Sequence, residues 1–109
     1  MKLTITGSGT SHGIPVIGCK CKVCTSKSPK DKRFRTSAII QEKDTYVVID
    51  TGPDFRLQAL NYGLCKLDAV LLTHAHADHV HGLDDIRVFT REKSISVFSN
   101  TNTLAEVHN

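Results

Sequence analysis

Residues 68–82 read Asp68-Ala69-Val70-Leu71-Leu72-Thr73-His74-Ala75-His76-Ala77-Asp78-His79-Val80-His81-Gly82. The opening Asp68-Ala69-Val70-Leu71-Leu72 is the kind of short apolar run that forms a buried strand. Four histidines and an aspartate follow at once, and four of those five groups make the pattern His-x-His-x-Asp-His. A polar cluster at the end of an apolar strand lies where α/β sheets hold ligands. His74 and His76 are two apart, so an extended or turning backbone can point both to one side. Two neutral imidazoles are half of a metal site. Asp78 and His79 follow too closely for all four to surround one ion. The spacing favours two ions, with His74 and His76 on one and Asp78 and His79 on the other. Ions roughly 3.5–4 Å apart clamp the attacking and leaving oxygens of a displacement. The mixed nitrogen and oxygen donors suit Zn²⁺, Mn²⁺ or Fe ions better than Ca²⁺. Asp78 is thus both a metal ligand and the candidate catalytic residue. Packed together without a ligand, these groups would be a desolvation liability. His81 falls outside the pattern and is read as supporting the ligands from behind.

A second constellation lies upstream. Cys19-Lys20-Cys21-Lys22-Val23-Cys24 places three soft thiolates in one short loop, a strong metal signal. The adjacent lysines favour ionised thiols. A tetrahedral zinc needs a fourth ligand. Cys65 is available, but it falls between a helix end at Gly63 and the strand from Asp68, and it is read as buried and non-ligating. Asp50 closes the apolar run Tyr46-Val47-Val48-Ile49 and precedes Thr51-Gly52. It could orient a histidine from behind or start a turn. Gly7-Ser8-Gly9-Thr10-Ser11-His12-Gly13 lacks the Gly-Lys-Ser/Thr ending of a phosphate-binding loop. His12 there reads more readily as a structural or exposed histidine.

The flanking patterns give the architecture. Residues 2–6 alternate like a strand. Residues 36–41 and 46–49 read as a hairpin joined through Glu42-Lys43-Asp44-Thr45. Asp54 to Tyr62 has helical spacing with Gly63 as a stop. Leu83 to Arg91 is predicted helical, with Asp84 and Asp85 in its first turn. Residues 95–98 form another strand, and Asn100 to Asn102 offer caps for a helix to about Val107. No repeat or low-complexity segment interrupts the order.

The chain has 109 residues, 39% hydrophobic and 23% charged, which suits a single α+β domain over 1–109. No apolar run approaches a membrane span, so no membrane partner is expected. The N-terminus lacks the apolar core of a signal peptide. Clustered cysteines without an export signal point to a reducing cytoplasm. The net charge is +3, yet residues 20–35 carry seven basic side chains against Asp31 alone. Such a short run reads equally well as a solvated loop or as one that attracts phosphate, and nucleic acid less readily, because Phe34 is its only stacking residue.

The run GSGTSHGIPVIGCKCKVC, with IDTGPDFR and THAHADHVHGLDDIR, resembles the PhnP-like branch of the metallo-β-lactamase superfamily. That branch contains cyclic-phosphate phosphodiesterases. The resemblance implies an αββα sandwich of two similar halves, of which this chain resembles the N-terminal one. It implies a structural Zn²⁺ at Cys19, Cys21 and Cys24, completed by a distal histidine for which His108 is a poor substitute. An acidic residue at the corresponding strand end favours the orienting role for Asp50. The implied reaction is hydrolysis of a small phosphodiester, on a Zn²⁺ or Mn²⁺ pair, by a metal-bridging hydroxide. The later His-Asp-His ligands of the superfamily have no counterpart here, so the chain is expected to behave as an incomplete, inactive and self-associating half. A tRNA-processing-type nuclease and a non-catalytic zinc-binding module are the alternatives.

Overall fold

The computed structural model describes residues 1–91 and 93–108, with the side chains of residues 77, 78 and 106–108 outside the described set. Asp78 and His108 are therefore placed by backbone alone. Five strands form one mixed sheet in the order β1 (Lys2–Gly7), β2 (Ser37–Glu42), β3 (Thr45–Ile49), β4 (Ala69–Leu71) and β5 (Ser96–Phe98). β1 pairs antiparallel with β2, and β2 with β3, whereas β3–β4 and β4–β5 are parallel. Four strands consequently run one way. Their C-terminal ends share one edge of the sheet, and the Gly7–Arg35 loop, the Asp50 turn and the histidine stretch all leave from it.

Local chemistry explains the joints. Lys43 adopts φ 53° in the two-residue turn between β2 and β3, the left-handed conformation that tight hairpins require. Helix α1 (Phe55–Tyr62) stops at Gly63, whose φ of 80° lets its N–H reach the carbonyls of Ala59 and Leu60. Its preceding residue, Asp54, does not cap it. The carboxylate instead accepts the Arg35 backbone N–H at 2.9 Å and pairs with the Arg35 guanidinium at 3.0 Å. Helix α3 (Thr101–His108) is capped as the sequence predicts, with Asn100 Oδ1 accepting the Thr103 N–H at 2.8 Å.

Two elements differ from the sequence reading. The histidine stretch contains a single helical turn, α2 (Ala77–Val80), where a loop was expected. The predicted α-helix from Leu83 is a 3₁₀ segment, Leu83–Phe89. Its first bond runs from the Asp85 N–H to Gly82 O, three residues back. Periodicity over so few residues does not separate these two helix types.

The pleat gives the sheet two unlike faces. Ile39, Val48 and Val70 lie side by side across β2, β3 and β4, and all three are buried. Phe55 and Ala59 of α1 cover them, with Leu67 and Leu72 from the ends of β4. The fully buried Val48 and Val70 each contribute about 1.5–3 kcal/mol of transfer free energy as an upper bound. On the opposite face Ile5, Ala38, Ile49, Leu71 and Phe98 form a registered row. Ile5 is 61% and Phe98 55% exposed, and Leu3 beside them is 59% exposed. Among the described residues the molecule is one sheet with α1, α2 and the 3₁₀ segment packed on one face, half of an αββα sandwich. No described helix is long and apolar enough to cross a membrane.

Candidate metal centre

Asp50 anchors the histidine stretch. It follows β3 with φ 61°, a left-handed conformation that costs a non-glycine residue about 1–2 kcal/mol. The turn buries the side chain to 3% exposure. Its own N–H donates to Leu71 O at 2.8 Å, and its carbonyl accepts the Ser37 hydroxyl at 2.9 Å. The carboxylate then faces the end of β4. Oδ1 accepts the Thr73 backbone N–H at 2.7 Å, and Oδ2 accepts the Thr73 hydroxyl at 2.6 Å. His79 Nδ1 lies 2.6 Å from the same Oδ2. A carboxylate only accepts, so His79 carries its proton on Nδ1 and its lone pair on Nε2.

The backbone holds the stretch a second time. The Thr51 N–H donates to His79 O at 2.7 Å, and the Gly82 N–H returns to Thr51 O at 2.8 Å. This clasp requires glycine at 82, because a Cβ there would stand 2.0 Å from Gly52 O. The rings of His74 and His76 meet edge to face with centroids 4.4 Å apart, and His74 and His79 lie 3.9 Å apart. Three of the four patterned residues are thus brought together. Asp78 stands between them on α2, and its side chain lies outside the described residues. His81 is exposed after α2, and His12 is exposed in its loop.

The cysteine loop is built differently. The sulfurs of Cys19, Cys21 and Cys24 all lie within 4.8 Å of one another. Zn–S bonds of ~2.3 Å would set such sulfurs about 3.8 Å apart, so the trio suits a tetrahedral ion with little movement. The Cys24 backbone N–H, with help from the Cys19 and Cys24 thiols, lowers the Cys21 thiol to about 7. At Cys24 the Val16 N–H favours the thiolate, but the neighbouring sulfurs and burial outweigh it and push the thiol up. Cys65 is exposed rather than buried, which corrects the sequence reading. It precedes β4, at the opposite edge of the sheet from the cysteine loop, and stands outside the described sulfur cluster.

Sequence reasoning gave no role to Thr73, Ser37 or the Arg35–Asp54 pair. The only local signal was a hydroxyl immediately before the first histidine. The partners of Ser37 and Arg35 are long-range and leave no trace in local spacing.

A family model described as the beta-lactamase superfamily domain matches residues 45–109. A crystal structure of a new diphosphatase from the PhnP family is 47% identical with a TM-score of 0.90, over 94% of this chain and 43% of that one. An octanoyltransferase of Porphyromonas gingivalis is 48% identical over 108 residues, 98% of this chain and 22% of that protein. Zn²⁺-bound PqqB from Methylobacterium extorquens has the same fold, with a TM-score of 0.85 at 24% identity over 99% of this chain and 40% of that one. The chain spans less than half the length of each of these proteins. By the family match, and by its likeness to the N-terminal half of a PhnP-family structure, the chain belongs to the metallo-β-lactamase superfamily and resembles its PhnP-like branch.

Proposed function

We propose that this chain carries half of the active centre of a metal-dependent hydrolase acting on phosphodiesters. The observation that carries the reading is the histidine cluster braced by Asp50. An imidazole such as His79, with its lone pair on Nε2 and a carboxylate holding it from behind, suits borderline divalent ions such as Zn²⁺ or Mn²⁺, and the rings of His74 and His76 lie beside it. His74 and His76 would hold one ion, and Asp78 and His79 the other. When bound, such a pair supplies Lewis acidity toward a phosphoryl oxygen and lowers the pKa of water. The chain's own part is positional. Asp50 fixes the His79 ring, the Thr51–Gly82 clasp holds α2 against the sheet, and the histidines present their nitrogens from one edge.

Phosphorus as the reacting centre is supported by the likeness to the PhnP-family diphosphatase, and activity remains a property of the whole protein. Cys19, Cys21 and Cys24 would hold a structural Zn²⁺ apart from the reaction. A cytoplasmic setting fits thiols whose sulfurs lie close but unjoined. The exposed row Ile5, Leu71 and Phe98 favours association, either with a second copy or with a covering sheet. Sedimentation would read this as a species heavier than a monomer that shrinks on introducing Ile5→Lys and Phe98→Lys together.

The decisive assay sets bis(p-nitrophenyl) phosphate beside a thioester and a β-lactam, using the metal-loaded native gene product. Turnover of the phosphodiester alone is expected. Thioester hydrolysis without phosphodiester hydrolysis would overturn the reading.

A further inference from the structure

The geometry points to Thr73 as a positioning residue: its hydroxyl relays the Asp50 carboxylate to His74, so that one carboxylate sets the tautomers of two histidines assigned to different ions. The inference rests on the metal-centre reading above, but not on the identity of the substrate.

The proton count leaves one assignment. Thr73 Oγ1 is 2.6 Å from Asp50 Oδ2 and 3.0 Å from His74 Nδ1. A hydroxyl has one proton to donate and two lone pairs. The shorter contact is to a carboxylate oxygen, which needs that proton. Toward His74 the hydroxyl oxygen must therefore accept, and the proton of that bond belongs to His74 Nδ1. The His74 lone pair is then on Nε2, as it is on His79, whose Nδ1 meets the same Oδ2 at 2.6 Å. Among the described residues no other hydrogen bond would choose between the two tautomers of His74.

The hydroxyl is fixed from two sides. The Thr73 backbone N–H holds Asp50 Oδ1 at 2.7 Å while the side chain holds Oδ2. Both carboxylate oxygens are thus gripped by one residue, and the β-branched side chain has few rotamers to lose. The adjacency of Thr73 and His74 does the rest, because the ring can fold back onto the preceding hydroxyl. Metal-ligating histidines commonly give their second N–H to a carboxylate or carbonyl. Here one of two would do so directly and the other through a neutral hydroxyl.

The test reads tautomers in metal-free protein. Long-range ¹H–¹⁵N spectra of histidine-labelled chain should show both His74 and His79 protonated on Nδ1. In Thr73→Val, which keeps the backbone N–H, His74 should move toward the Nε2–H form while His79 stays. Thr73→Ser should restore His74. Zn²⁺ affinity, measured by chelator competition on the same samples, should fall about 10-fold in the valine variant and recover in the serine variant. His74 found as the Nε2–H tautomer in the unmodified chain would overturn the inference without any variant. So would valine and serine variants that match each other in tautomer and affinity. Failure of phosphodiester turnover with these spectra intact would strike the substrate assignment alone.

Discussion

The histidine stretch and the cysteine loop are both candidate metal sites, and they are held in opposite ways. The histidines are fixed by the protein itself. A buried carboxylate, a hydroxyl and two backbone bonds across the sheet edge organise them, with contacts 23 or more residues apart in sequence. The cysteines sit in an exposed loop whose bonds are mostly local, such as Cys19 N–H to Val16 O and Thr25 N–H to Cys21 O. The expectation is that the first site is held by long-range contacts before an ion arrives, whereas the second, whose sulfurs already lie together but on mostly local bonds, is stabilised further by the ion. In the second, binding free energy becomes local folding free energy.

The sharpest break of this contrast is Cys21→Ser. It should abolish Zn²⁺ binding at the cysteine loop, read as one equivalent lost by metal analysis, and leave the histidine centre intact. Cys65→Ser should change nothing. Equal loss from both would make Cys65 a ligand, against its place at the far edge of the sheet.

On the histidine side Asp50→Asn is the cleanest change, because asparagine tolerates the left-handed backbone at φ 61°. One carboxylate oxygen becomes an NH2 group that cannot accept, so either the Thr73 backbone N–H or the Thr73 hydroxyl and His79 Nδ1 lose their acceptor. Affinity of the histidine centre for Zn²⁺ should fall about 10–100-fold, with the cysteine loop unaffected. Titration of each site by chelator competition separates the two.

Gly82→Ala tests the backbone clasp. Its Cβ would meet Gly52 O at 2.0 Å, so the two segments must part. Thermal unfolding should show a loss of about 1–3 kcal/mol, as overpacking typically costs. A neutral result would mean that the clasp does not hold the site.

The smallest effect lies away from both sites. Asp68 is held below the usual carboxylate range first by the Lys93 ammonium, 2.5 Å away, and then by the Tyr46 N–H. A folded pKa below the unfolded one gives stability that is present above the unfolded pKa and lost as pH falls through the folded one. Asp68→Asn should therefore cost about 1 kcal/mol at neutral pH. That deficit should shrink as the pH is lowered past the ordinary carboxylate range, read by denaturant unfolding at several pH values.

Much of the architecture was legible in the sequence because its signals are local. The alternation in residues 2–6, the apolar runs at 46–49 and 68–72, the stop at Gly63 and the cap at Asn100 each act within a few residues. The histidine and cysteine patterns are local too. What escaped depends on contacts the sequence does not bring near. The 3₁₀ form of Leu83–Phe89 follows a glycine pressed on Gly52, thirty residues away. Asp54, read as the start of the helix, stands just before it and turns its carboxylate to Arg35. Cys65 was expected inside because thiols usually are, but its segment skirts the sheet edge.

Amide hydrogen exchange on the chain with and without Zn²⁺ tests the contrast most directly. In metal-free protein the Thr73, His79 and Gly82 amides should already be protected, while those of residues 19–26 exchange freely. Adding Zn²⁺ should slow residues 19–26 strongly and the histidine stretch only slightly. Histidine-stretch amides unprotected until metal is added, or a cysteine loop protected without it, would contradict the account.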